Sequence, residues 1–315
     1  MRIAIIGAGL AGLTLARGLS ASHSVTVFEK ARGPGGRMST RRATPYAFDH
    51  GAQYFTAESD PFLDLLSSLK SRGIIAEWPD RIDLRAGARV SDKPKLVASP
   101  GMNGLCKTVA EGLNVRPGVK IETLRRDGGG WSLVDAEGAL TGPFDWVVST
   151  APAPQTDALL PASFAGKAKL SRVKMLGCFA LMLGFETPLD LPWQALKSGA
   201  PPIGWMAVNS AKPDRVEAFS LLIQSSNDWA DAHLEDDPET VKSVLLHAAS
   251  DLTGIDLTVA THQVLHRWRY AATETPLGAP YLIDQDLNLA ACGDWCLGSK
   301  VEAAFLSAEA LAKAF

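Results

Sequence analysis

Ile3-Ala4-Ile5-Ile6-Gly7-Ala8-Gly9-Leu10-Ala11-Gly12 is an apolar run of strand length that ends in three glycines spaced G-x-G-x-x-G. A helix-like stretch, Leu13 to Leu19, follows it, and a second apolar run, Ser24-Val25-Thr26-Val27-Phe28, ends on Glu29. Strand, helix, strand and terminal acid in this order form the βαβ dinucleotide fingerprint in its proper context. Gly7 allows the turn out of the strand, Gly9 admits a pyrophosphate to the backbone, and Gly12 lets helix and strand pack closely. The helix start at Leu10 and Ala11 offers free N–H groups to the phosphates. Glu29, followed by Lys30, is placed to accept hydrogen bonds from a ribose diol. An acid here argues against a 2′-phosphate.

A second glycine cluster, Arg32-Gly33-Pro34-Gly35-Gly36-Arg37-Met38, comes directly after, and then Asp49-His50-Gly51-Ala52-Gln53-Tyr54-Phe55. A nicotinamide-only dehydrogenase has no need of it. An extended FAD does, because the backbone must also pass close to the phosphates and the isoalloxazine. These residues resemble the amine-oxidase type of FAD/NAD(P)-binding flavoprotein, in which a GGR motif follows the first βαβ unit. The resemblance implies that Gly36 and Arg37 contact the pyrophosphate region of FAD, with Met38, His50, Gly51, Ala52 and Gln53 also against the cofactor.

Composition sets the outer limits. The chain has 315 residues, 46% of them apolar and 21% charged, enough for one large or two intertwined domains with a substantial core. A formal charge of −3 offers no electrostatic case for nucleic acid or an anionic membrane. No apolar run approaches a membrane-spanning helix, and the first strand leaves no room for a signal peptide, so the expected location is the cytoplasm. Cys106, Cys178, Cys292 and Cys296 show neither zinc nor CxxC spacing and are expected to be buried thiols.

Further along, Pro61 to Arg72 has helical apolar spacing, Trp78 to Val97 suggests short strands, and Gly101 opens a helix running through Leu113. Val115 to Leu124, Trp131 to Val134 and Trp146 to Ser149 read as strands, with Asp127-Gly128-Gly129-Gly130 as a hairpin turn. From Pro154 to about Ile283, apolar runs (Leu176 to Phe185, Phe219 to Ile223, Val259 to Val264) alternate with turns, and one helix, Pro238 to Leu252, starts after two acids. This stretch reads as an antiparallel sheet with helices on one side. No second G-x-G-x-x-G and no internal repeat is present. At the end, Leu287 to Gly293-Asp294 is a strand closing on Gly-Asp, and Lys300-Val301-Glu302-Ala303-Ala304-Phe305-Leu306-Ser307 begins a terminal helix.

That ending resembles the family's third FAD motif. It implies that Gly293 and Asp294 meet the ribityl or phosphate, and that the helix start at Val301, Glu302 and Ala304 faces the flavin carbonyl edge. The family's adenine-pairing position matches Ile121, with Val119 as the alternative. The stretches His266-Arg267-Trp268-Arg269-Tyr270-Ala271 and Gln224-Ser225-Ser226-Asn227-Asp228-Trp229 resemble the bacterial renalase-like branch. The fold implied is α/β: a discontinuous Rossmann-like FAD domain (1–60, 98–155 and 285–315) with an antiparallel-sheet-plus-helix substrate domain (61–97 and 156–284), as in p-hydroxybenzoate-hydroxylase and amine-oxidase folds.

The function implied is oxidation of 2- and 6-dihydro isomers of β-NAD(P)H to β-NAD(P)+ by non-covalently held FAD, with O2 as acceptor and H2O2 as product. The partners are a small dinucleotide and O2, with no metal, nucleic acid or membrane. Such a donor loses a hydride without losing a proton, so no strong general base is required. Tyr54, Trp205, Asn209, Gln224, Trp268 and Tyr270 are the expected substrate face, since stacking a nicotinamide needs aromatics and holding its carboxamide needs amides. The alternatives are a flavin amine oxidase for a small amine, with Lys174 the one lysine in the relevant stretch, and a redox-neutral flavin isomerase.

Overall fold

The structure, a computed structural model, describes residues 1–79 and 81–315. The opening run forms the centre of a six-stranded sheet. Its order is Leu282–Asp284, Leu289–Ala291, Trp146–Ser149, Arg2–Ile6, Ser24–Glu29 and Val115–Pro117. All neighbours are parallel except the Leu282–Asp284 edge. A central parallel strand is covered on both faces, which is why Ile3 to Ile6 is continuously apolar and does not alternate. On one face lie the helices Leu10–Leu19, Asn103–Val109 and Val301–Ala312, with Ile3, Ile5, Leu13, Leu15, Leu105 and Leu311 fully buried among them. On the other face a three-stranded meander, Ile121–Asp127, Gly130–Asp135 and Leu140–Phe144, sets Trp131, Leu133 and Phe144 against Ala4, Ile6 and Phe28.

Several expected elements shift. Val115 to Leu124 is not one strand: Gly118 turns the chain at φ +76°, so Val115–Pro117 ends the parallel sheet and Ile121–Asp127 starts the meander. Asp127 pairs with Gly130 in the expected hairpin. The third meander strand, Leu140–Phe144, has too mixed a pattern to read from sequence. The helix after Gly101 stops at Val109.

The second large sheet runs His262–Thr275, Lys174–Gly184, Ser220–Ser225, Ile203–Val208, Ala195–Lys197 and Ile82–Leu84, antiparallel except for its last pair. Successive side chains point to opposite faces. Phe179, Leu181, Leu183, Leu221, Ile223 and Met206 are buried with Val241, Leu245 and Ala249 of the helix Pro238–Thr253. That helix is capped by the Asp237 carboxylate, which accepts from Glu239 N–H and Thr240 N–H, and is closed by Gly254 in the left-handed region. The strand expected at Val259 to Val264 begins only at His262. It then continues to Thr275 because its partner, Lys174–Gly184, is 11 residues long.

The stretch 61–97, expected in the substrate domain, divides. Phe62, Leu66 and Leu69 of the helix Asp60–Ser71 are buried in the same cluster as the first and last helices, with Phe62 5.0 Å from the Phe305 ring. Only Ile82–Leu84 joins the second sheet. The apolar stripe that made this helix legible carried no signal of which domain it would cover.

Candidate active site

A cavity of about 1870 Å³ lies between the parallel sheet's carboxyl ends and the free face of the second sheet. This exceeds the roughly 300–1,000 Å³ of a single-ligand pocket, so it has room for a cofactor and a second molecule. Strand ends of an open α/β sheet are where such ligands bind.

The cavity's glycine floor is built by close backbone approach. A Cβ at Gly12 would stand 2.0 Å from the Gly7 carbonyl oxygen, so the helix presses on the turn that precedes it. Gly36, at φ +53°, stacks the second glycine cluster on the first, and a Cβ there would lie 3.3 Å from the Gly9 Cα. Gly9 itself has open space where a Cβ would be, and no side chain caps the helix it starts. Gly7, Gly9, Leu10, Ala11, Gly36 and Met38 all line the cavity; Gly12 lies beneath them.

Glu29 is buried and also lines the cavity, beside Lys30. One carboxylate oxygen accepts from Ala8 N–H at 2.8 Å and the other from Ala31 N–H at 2.7 Å. A carboxylate has about four lone-pair sites, so capacity remains for two hydroxyls. Ile121 and Val119 both reach the cavity. Arg37 grips Asp294 with two nitrogens, one at 2.9 Å, and donates to Ala271 O at 3.2 Å. The second and third sequence motifs are thus tied to each other across the chain. Gly293, Asp294, Val301 and Ala304 line the same wall.

Four expected positions do not line the cavity. The His50 ring packs against His266 and Trp268, at 4.9 and 5.0 Å, away from the cavity surface. Gln53 is buried, its amide donating to Asp49 O at 2.5 Å and Gly51 O at 2.9 Å. Asn209 is fully buried, accepting from Asp49 N–H and donating to Ala47 O. Glu302 turns from the cavity to accept from Glu58 N–H, Ser59 N–H and the Ser59 hydroxyl. For Gln53, Asn209 and Glu302 the polar group satisfies nearby donors and acceptors inside the scaffold.

These internal bonds fix the Gly51-Ala52 turn, which does line the cavity. Beneath it lies a charge cluster that sequence reasoning missed. Asp49 accepts from Arg215 at 2.7 and 3.1 Å, Lys212 at 3.3 Å, Thr40 at 2.7 Å and Met102 N–H at 2.9 Å. All three charged side chains are fully buried. Burial alone would push the Asp49 carboxyl up, but Lys212 and Arg215 hold it at about 2. Burial lowers Lys212 to about 8 against the pull of Asp49. Lys212-Pro213-Asp214-Arg215 reads as a surface turn, and only the close approach of two distant segments buries it.

The cavity roof is the free face of the second sheet. Trp205, Gln224, Trp268 and Tyr270 line it, joined by His266, and Tyr54 reaches the same cavity from the loop after Tyr46–Asp49, beside Trp205. Trp268 Nε1 donates to His50 O and Gln224 Nε2 to Gly51 O, both at 2.7 Å. Roof and turn are therefore hydrogen-bonded across the domain boundary. Burial, then His266 and Arg41, lowers His50 to about 4; burial and Arg41 also lower His266. Burial raises the Tyr54 phenol. Among the described residues no group of His, Cys, Asp and Glu could hold a metal ion, and no helix is long and apolar enough to cross a membrane.

The glycine floor, the uncapped helix start and the tethered acid fit an extended dinucleotide. Residues 5–69 match the NAD(P)-binding Rossmann-like domain, and residues 80–314 match the flavin containing amine oxidoreductase family. A 4,4'-diapophytoene desaturase (4,4'-diaponeurosporene-forming) of Staphylococcus aureus (strain Newman) is 48% identical over 52 residues. That match covers 16% of this chain and 10% of the desaturase. A provisionally assigned protoporphyrinogen oxidase from Exiguobacterium sp. 255-15 superposes with a TM-score of 0.77 at 13% identity, covering 99% of this chain and 98% of the other. A putrescine oxidase redesigned in its cofactor binding superposes with a TM-score of 0.73 at 14% identity, covering 100% and 98%. Likeness at such identity is likeness of fold. The family match spans most of the sequence: the chain belongs to the flavin containing amine oxidoreductases, and its cofactor is non-covalently bound FAD.

Proposed function

We propose that this protein is a renalase-type oxidase, converting 2- and 6-dihydro isomers of β-NAD(P)H to β-NAD(P)+ with formation of H2O2. The observation that carries the reading is the roof. Its aromatic and amide residues, Trp205, Gln224, Trp268 and Tyr270, line one cavity with the glycine floor and with Tyr54 of the neighbouring loop. Flat aromatic faces suit a nicotinamide ring, and among the described residues Gln224 keeps its carbonyl oxygen and one N–H for a carboxamide.

FAD, when bound, supplies the hydride acceptor and passes the two electrons to O2. The chain's own contribution is orientation and exclusion of water. Loss of hydride from a dihydropyridine leaves an aromatic pyridinium and no proton, so a roof without a strong base suffices. His266 matches this, since burial holds it toward the neutral form. Gly9 and Gly36 would admit the pyrophosphate, Glu29 the ribose hydroxyls, and the start of the helix Val301–Ala312 the carbonyl edge of the flavin ring.

One observation favours a second reading, a flavin amine oxidase for a small amine: Asp228 lines the cavity and could meet an ammonium. Lys174, the lysine considered for that chemistry, is exposed at the start of its strand and does not line the cavity. Anaerobic mixing of the FAD-loaded protein with 2-, 4- and 6-dihydro-NAD(P) isomers and with an amine panel separates the two. The dihydro isomers should bleach the flavin rapidly. Bleaching by an amine and by no dihydropyridine would overturn the proposal. Hydrogen peroxide formed in air separates an oxidase from an isomerase.

A further inference from the structure

The roof carries a cation that no neighbour engages among the described residues. Lys197 ends the strand Ala195–Lys197, where it is aligned with Trp205. Trp205 is aligned with Gln224, Gln224 with Ala180, and Ala180 with His266. Residues directly paired on neighbouring strands point to the same side of a sheet. Lys197, Trp205, Gln224 and His266 therefore form one row across the roof, and all four line the cavity.

Lys197 is half-buried, and among the described residues its ammonium has neither a carboxylate nor a carbonyl partner. The backbone that presents it is fixed. Lys197 O accepts from Arg85 N–H at 3.0 Å, and Ser198 N–H donates to Gly204 O at 3.2 Å. The acid on the next strand, Asp83, is aligned with Leu196 on the opposite face and is paired with Arg85 at 2.7 Å. The cavity's other roof cations are already engaged: Arg267 donates to Leu234 O, and Arg269 is paired with Glu235.

An ammonium held at the wall of a partly desolvated cavity without a counter-ion favours an anionic ligand there. Two strand spacings of about 4.8 Å separate the backbone of Lys197 from that of Gln224. A planar ring against Gln224 and Trp268 would thus place a group one sugar away within reach of the lysine's flexible four-carbon stem. We propose that Lys197 binds the phosphate of the nicotinamide nucleotide half of the substrate and so selects a phosphorylated ligand over a neutral or cationic one. This rests on the dihydropyridine reading above.

The test compares oxidised nicotinamide mononucleotide with its phosphate-free riboside, binding to the FAD-loaded protein and read from perturbation of the flavin absorbance. In the unsubstituted protein the mononucleotide should bind about tenfold more tightly or better, as a charge-assisted contact of this kind implies. Lys197→Met should erase that advantage by weakening the mononucleotide alone, while Lys197→Arg should retain it. Equal affinities in the unsubstituted protein, no binding of the mononucleotide, or an advantage that survives Lys197→Met would overturn the proposal. Turnover is not needed for this readout. Failure of the renalase-type reading shows separately, as no bleaching by any dihydro isomer while the mononucleotide still binds.

Discussion

At the scale of the residue, burial decides the role of polar groups near this cavity. Among the described residues Asp49 is the sole carboxylate paired with the two fully buried cations Lys212 and Arg215, so its removal leaves both uncompensated. Asp49→Asn should therefore destabilise the protein by about 3–5 kcal/mol, seen as a lower urea midpoint. His50 gives a pH signature of definite sign. Its folded-state value of about 4 lies below the ordinary 6.5, so between these values the unfolded chain takes up a proton that the folded chain refuses. Stability should be full above pH 6.5 and fall progressively toward pH 4, by up to about 3 kcal/mol from this group. Equilibrium unfolding of His50→Gln across that range should show a shallower slope than the unsubstituted protein.

At the scale of the element, the two ends of the chain hold its middle in place. Glu302, in the first turn of the terminal helix, accepts three hydrogen bonds from Glu58 and Ser59, where the helix Asp60–Ser71 begins. Ser59 uses its hydroxyl for this bond and does not cap its own helix, so Glu302 fixes the chain at the point where that helix begins. Glu302→Ala should cost about 1–3 kcal/mol. Hydrogen exchange should quicken first at residues 58–66, before the parallel sheet is affected. Unchanged protection there would show that the Phe62–Phe305 contact alone anchors the helix.

At the scale of the whole molecule, the FAD site spans segments from both ends of the sequence, so cofactor and fold stabilise each other. Binding to the folded state alone adds about 2.7 kcal/mol at 100 times the dissociation constant. The midpoint of thermal unfolding should rise steadily with added FAD and drop on its removal. A midpoint indifferent to FAD would mean that the cavity floor does not bind it.

The first βαβ unit, the glycine motifs and the Gly293-Asp294 ending were legible because close backbone approach tolerates few residue types, and those types recur at fixed spacing. Trp268 drew notice through the resemblance of its stretch, and Trp205 as an aromatic able to stack on a ring; both line the cavity. Gln53, Asn209 and Glu302 turn into the scaffold, a placement not legible because a polar residue looks the same in a string whether it faces a ligand or buried backbone groups. Sequence by itself determined the first βαβ unit and the glycine turn at Gly7 to Gly12, since local periodicity and glycine geometry act over a few residues. Only the tertiary structure decided that Lys212 and Arg215 meet Asp49, and that Lys197 shares a row with Trp205 and Gln224. Those arrangements depend on strand register between segments far apart in the chain, and no local pattern encodes register.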